Sequence, residues 1–209
     1  MPPLTIVVPR GAEAAAVRRS GLSARVVEVL AGAAAALPEF ADGETVIVIG
    51  LCGALWRLKA GDVAIYGRVA DAAHAFVLDP SLVDALKAAL PGATVVNACT
   101  SKRVVTTTAA RTALAGRFDA AVVDMEGTHL AAALALRGVR FAMVRVVSDD
   151  ASRDLPPIED AIDAHGRLQP LRIALTFARA PRAAFPFIRD VRRALATLTV
   201  TARTVGGIR

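Results

Sequence analysis

The sequence predicts a single α/β domain in which helices flank a mixed, mostly parallel sheet and a helical, basic C-terminal stretch completes the chain. Three observations point there. Short β-branched runs alternate with Ala-rich segments of helical spacing as far as Val147, the pattern of strands buried between helices. No comparable strand run follows. A chain of 209 residues, 55% of them hydrophobic, supports one substantial core and not two. The expected domain is therefore residues 1–209, with the basic tail at about 158–209.

Residues 4–8 read as the first buried strand, and 11–19 as the helix after it. Residues 23–30 and 45–49 are further β-branched runs, and the second meets a glycine-bearing turn, Gly50-Leu-Cys-Gly53. A glycine turn after a strand is where open α/β sheets bind ligands. Residues 62–69 predict a strand, 80–90 a helix ending at Pro91-Gly92, 94–99 a strand and 108–115 a helix. A short strand over 120–123 runs into a helix from Asp124 to Arg137, stopped by Gly138, and 141–147 is the last clear strand. Beyond Pro157 two amphipathic helices are expected, at 168–179 and 187–198, broken by Pro181 and Pro186.

A mean hydropathy of +0.49 invites a membrane reading. Charge-free stretches such as residues 45–56 nevertheless fall short of the roughly 18–20 apolar residues a span requires. The N-terminus has no basic region followed by a long apolar run, so a strand is expected there and not a secretory signal. Two cysteines, Cys52 and Cys99, and three scattered histidines suggest neither a disulfide framework nor a metal site. A reducing cytoplasm is the expected setting. The formal net charge of +6 is concentrated late, with nine arginines against the single acid Asp190 from His165 onward.

Two segments carry the chemistry: Val123-Asp-Met-Glu-Gly127 and Arg145-Val-Val-Ser-Asp149. With Gly50-Leu-Cys-Gly-Ala-Leu and Leu58-Lys-Ala-Gly-Asp62, they resemble in order and spacing the signatures of the purine nucleoside phosphorylase and nucleosidase superfamily, over about residues 4–157. The resemblance implies cleavage of the N-glycosidic bond of a purine nucleoside. That reaction leaves cationic character on the sugar while electron density moves into the departing base, so both ends need stabilising. By resemblance Glu126 holds the ribose hydroxyls and Asp149 shares a proton with purine N7, with Ser148 orienting its carboxyl. For that role Asp149 has to hold a proton near neutrality, against a reference value of about 3.9, with help from an apolar wall or a neighbouring negative charge. Taken singly, an Asp after a strand is a cap and a Glu at a helix start merely suits the dipole. The pair in register makes the site.

The resemblance also implies that Arg145 helps hold an attacking water, and strand parity lets it face the same side as Asp149. Met125 would pack on the ribose, Cys52 and Gly53 would border the pocket, and Val104 with Val105 would line the base. Glu13 is the only acid near the first strand and is the candidate base for activating water. Where phosphorolytic members carry an arginine and a serine to grip phosphate, this chain has Val48 and Leu51. Hydrolysis and phosphorolysis both stay open, with no cofactor and with inorganic phosphate as co-substrate only in the second case.

Ile162-Asp-Ala-His-Gly-Arg-Leu-Gln-Pro-Leu, Arg-Ala-Pro-Arg and Phe187-Ile-Arg-Asp-Val-Arg-Arg-Ala-Leu are similar to the tail of the hopanoid-associated phosphorylases. That likeness implies adenine release from adenosylhopane, a lipid-linked nucleoside. The alternatives are a soluble methylthioadenosine or adenosylhomocysteine nucleosidase, a phosphorolytic enzyme, and a non-catalytic nucleoside or lipid binder. Arginines interleaved with Leu, Ile and Phe suit peripheral contact with an anionic membrane face, and equally suit closing the core or an oligomer interface. Nucleic acid is not an expected partner, because aromatic residues are sparse in the tail. The resemblance implies a homo-oligomer.

Overall fold

The computed structural model describes residues 3–30, 37–156 and 181–208, with side chains in the last segment from 184. The strands are β1 (Leu4–Pro9), β2 (Arg25–Val29), β3 (Thr45–Ala54), β4 (Val63–Ala70), β5 (Ala75–Val77), β6 (Thr94–Thr100), β7 (Val122–Asp124) and β8 (Arg140–Asp149). The helices are α1 (Ala12–Arg19), α2 (Pro80–Ala89), α3 (Thr108–Phe118), α4 (Gly127–Leu136) and α5 (Pro181–Val205). All eight strands belong to one sheet, in which β3, β8, β4, β6 and β7 pair in a closed ring and β1 and β2 extend it beyond β3. Parallel pairs dominate; β3 with β7, β4 with β5 and β4 with β8 run antiparallel. The fold is the mixed, mostly parallel α/β architecture that the sequence predicts.

Strand interiors are almost wholly buried. Ile6 to Val8, Val46 to Ile49, Ala142 to Val144, Val146 and Val147 form a continuous apolar core with Leu130, Leu134 and the inner face of α5. Near-unbroken Val and Ile runs are what strands covered on both faces require. The apolar positions of α5 fall at Ala194, Leu198, Ala202 and Val205, one buried stripe at helical spacing. It packs on β8 and α1, Arg203 Nε donates to Ser20 C=O at 3.0 Å, and Asp190 pairs with Arg153 and Arg189. This part of the basic tail therefore closes the core.

Three expectations need correction. The segment at Gly50 to Gly53 is not a turn but the continuation of β3, which runs to Ala54. α5 is not broken at Pro186, which lies inside the helix, while what precedes Pro181 lies outside the described residues. A proline inside a helix removes a single backbone hydrogen bond, a loss the long, well-packed remainder of α5 outweighs. The short strand β5 went unanticipated. The helix expected at 168–179 lies outside the described residues, as does the segment 162–171. Among the described residues no helix is long and apolar enough to cross a membrane.

Candidate active site

The site lies where β3, β7 and β8 end. One pocket is lined by Glu13, Leu51, Cys52, Gly53, Val104, Val105, Met125, Glu126, Ser148 and Asp149, together with Arg103, Arg111, Val123, Asp124, Leu155 and Phe187. Every residue singled out from the sequence reaches it except Arg145. The local structure explains how each arrives there.

Gly11, at φ +100°, makes the turn from β1 into α1 that an L side chain would strain. That turn brings Glu13 back over β3, where Leu51 N–H donates to its Oε1 at 2.6 Å. Burial pushes the Glu13 carboxyl up to about 7, with Glu126 and Asp124 adding to the rise and Arg145 opposing it. Such a group exchanges a proton near neutral pH.

Asp124 ends β7 and builds the start of α4. Its Oδ1 accepts from Gly127 N–H at 3.0 Å and from the Thr100 hydroxyl at 2.8 Å, and its Oδ2 accepts from the Tyr66 hydroxyl at 3.2 Å. A side chain at Gly127 would put Cβ 2.5 Å from Asp124 Oδ2. Because Asp124 performs the capping, Glu126 at the N-cap position makes no side-chain cap bond and remains available to the pocket. Its carboxyl is also raised by burial, against the pull of Arg145.

Arg145 is fully buried and lies behind this wall, not among the lining residues. The strand alternation that would have aligned it with Asp149 is broken, since Cys52 pairs with Val147 but Gly53 pairs with Asp149, leaving Ser148 as a bulge. Its guanidinium is 3.6 Å from Asp124, and its three nitrogens make no hydrogen bond among the described residues. It serves as the shared positive charge under Asp124, Glu126 and Glu13, which together hold it protonated although burial works against its charge. The absent side chain at Gly50 makes this possible, because a Cβ there would lie 2.2 Å from Arg145 Nη1 and 2.7 Å from Glu13 Oε1. Gly53 plays the same part for Asp149, whose Oδ2 would be 3.1 Å from an added Cβ.

The environment of Asp149 differs from the expected apolar wall. Its Oδ2 accepts from Arg111 Nη2 at 2.5 Å, within a buried ion pair. Its Oδ1 lies 2.5 Å from the Ser148 hydroxyl, which also lies 3.1 Å from the Cys52 carbonyl. The sequence reading missed Arg111, because one arginine on an Ala-rich helix carries no periodic signal that distinguishes it from a solvated residue. It also missed Arg103, Leu155 and Phe187 as lining residues. Cys52 borders the pocket as an inert thiol, pushed far up by burial.

The family model described as the phosphorylase superfamily matches residues 15–175. The chain belongs to the phosphorylase superfamily, and it is an enzyme of the nucleoside phosphorylase and nucleosidase class, whose reaction is cleavage of a glycosidic bond. Solved structures share the fold over nearly the whole chain. A 5′-methylthioadenosine/S-adenosyl homocysteine nucleosidase from Campylobacter jejuni matches with TM-score 0.70 and 13% identity, covering 100% of this chain and 98% of its own. A futalosine hydrolase mutant from Helicobacter pylori matches with TM-score 0.69 and 13% identity, covering 98% of each chain. A nucleosidase from Neisseria meningitidis bound to methylthio-immucillin-A matches with TM-score 0.68 and 20% identity, covering 97% of this chain and 98% of its own. No curated protein matches the chain.

Proposed function

We propose that this enzyme hydrolyses the N-glycosidic bond of a 5′-substituted adenine nucleoside of the methylthioadenosine or adenosylhomocysteine kind. The observation that carries the reading is that Glu13, Glu126 and Asp149 border one pocket, with Glu13 pushed up to about 7. Glu13 takes a proton from a water molecule whose oxygen attacks the sugar C1′. Glu126 accepts hydrogen bonds from ribose hydroxyls, and its charge opposes the positive charge that grows on the sugar. Asp149 delivers a proton to N7, so the C1′–N9 electron pair leaves with a neutral base. The products are the free sugar and the base, and solvent returns the proton to Asp149 and removes it from Glu13.

Hydrolysis is favoured over phosphorolysis by the charge of the pocket. A phosphate dianion placed near Glu13, Asp124 and Glu126 would meet three carboxylates, with Arg145 behind them already shared among these acids. The test is adenine release from 5′-methylthioadenosine and from adenosylhomocysteine, with and without phosphate. Free sugar as product in both buffers is expected; a ribose 1-phosphate product sinks the hydrolytic reading.

A lipid-linked adenosine is the second reading. In its favour, Phe187 and Leu155 line the pocket while Phe185, on the same helix as Phe187, is 76% exposed. Adenine release from a vesicle-borne lipid nucleoside, at a rate well above that from the soluble nucleosides, would replace the first reading with this one.

A further inference from the structure

All five N–H groups of Arg111 are used inside the protein. Nε and Nη2 donate to the Val105 carbonyl at 3.3 and 3.2 Å, and Nη1 donates to the carbonyls of Ala54 at 3.1 Å and Asp150 at 2.7 Å. The fifth bond is the one from Nη2 to Asp149 Oδ2 at 2.5 Å. Arg111 is 1% exposed, so these bonds are made in a desolvated setting where an unpaired partner is costly. One side chain thus ties together the end of β3, the Val105 wall of the pocket and the carboxyl that faces the base.

The two oxygens of Asp149 are consequently unequal. Oδ2 is committed to a cationic donor, and a proton placed on it would stand against the guanidinium. Oδ1 has only the Ser148 hydroxyl, which has a single proton to give and two acceptors within reach. When Ser148 donates to the Cys52 carbonyl, its 2.5 Å contact with Oδ1 is a hydrogen bond only if the proton is on Asp149. When Ser148 donates to Oδ1, Asp149 is the bare carboxylate. In the reaction proposed above, the two arrangements would correspond to Asp149 before and after it gives up its proton.

We propose that Arg111 is a positioning residue for the reaction: by occupying Oδ2 it makes Oδ1, beside Ser148, the oxygen that carries the proton to the base. The assignment rests on the reading of Asp149 as the acid at N7. It also couples the acid to the pocket wall, because the same guanidinium fixes Val105.

The experiment compares Arg111→Met and Arg111→Lys with the parent on two substrates: 5′-methylthioadenosine, and 4-nitrophenyl riboside, whose leaving group departs without a proton. For Arg111→Met, kcat on methylthioadenosine should fall about 10²-fold, the lower end of what a general acid supplies, with KM changed less than about threefold. Turnover of the nitrophenyl riboside should change less than about threefold, and Arg111→Lys should restore about tenfold of the lost kcat. A purely structural role predicts equal losses on both substrates. Equal losses, or an unchanged kcat in Arg111→Met, overturn the assignment. Should Arg111→Met fail to fold, the same ratio in Arg111→Lys decides: a loss confined to the purine substrate supports the assignment and an equal loss overturns it. Asp149→Asn, measured alongside, separates the two claims. If it turns over methylthioadenosine at the parent rate, the reading of Asp149 as acid falls. If it is impaired while the Arg111 variants are not, only the role of Arg111 falls.

Discussion

The two ends of the pocket hold carboxylates in opposite circumstances. At the end proposed to take the base, Asp149 is clasped by one arginine, with direct hydrogen bonds on both oxygens. At the end proposed to take the sugar, Glu13, Asp124 and Glu126 share Arg145, which hydrogen-bonds to none of them and lies 3.6 Å from Asp124. Burial and mutual repulsion therefore prevail over attraction at the sugar end, and Glu13 and Glu126 are both raised. In the proposed reaction the same residue type would act as an oriented donor at one end and as a proton acceptor at the other. The difference comes from how the cation is attached, not from how many cations are present.

The contrast breaks most visibly at Asp149. Asp149→Asn keeps the shape and can still donate a hydrogen bond but cannot deliver a proton. Steady-state kinetics should show kcat lowered by about 10²–10⁴, roughly 3–5 kcal/mol of barrier, with KM little changed. A variant as fast as the parent would remove the base end from the account.

At the sugar end the expected effect is on stability as well as rate. Glu13 has a folded-state value near 7 against 4.5 for the free side chain. A raised carboxyl contributes stability fully below about 4.5, and that contribution is lost as pH rises through 7. Glu13→Gln, uncharged throughout, should therefore gain on the parent as pH rises over that window, by on the order of 2–3 kcal/mol, the discount reflecting a side chain that borders the open pocket. Thermal melting at pH well above and well below the window checks this; an identical difference between variant and parent in both buffers would contradict it.

Glu126→Gln sharpens the comparison in another way. Its hydrogen bonds to ribose would exist in the ground state and strengthen as charge develops, so KM should rise and kcat fall together, by about 1.5–3 kcal/mol in kcat/KM. The smallest effect expected is at Gly50, where an added methyl meets Arg145 and Glu13. Gly50→Ala should cost about 1–3 kcal/mol of stability through overpacking, read as a lower melting temperature, while Gly92→Ala, with open space around it, should not.

Much of this was legible in the sequence, for physical reasons. Glu126 and Asp149 stand at strand ends within short signatures, so their positions follow from chain order. Glu13 was legible as the one acid near the first strand. The glycines at 50 and 53 were noticed for the wrong reason: paired glycines read as a turn, whereas here they keep β3 extended and let Arg145 and Asp149 lie against its backbone. The bulge at Ser148 was invisible, because it arises from the pairing of β8 with β3 and not from either strand alone, and it breaks the strand phase that would align Arg145 with Asp149. Arg111 was invisible for a related reason, since its five hydrogen bonds go to residues 54, 105, 149 and 150, which meet only in the folded chain.

The central claim is that the sugar end holds a base that titrates near neutrality, and the pH dependence of kcat/KM for 5′-methylthioadenosine tests it most directly. The rate should climb with pH along a limb centred near 7, where Glu13 gives up its proton, and Glu13→Gln should lose that rising limb. A climb centred near the ordinary glutamate value of 4.5, or the same climb persisting in Glu13→Gln, would contradict it.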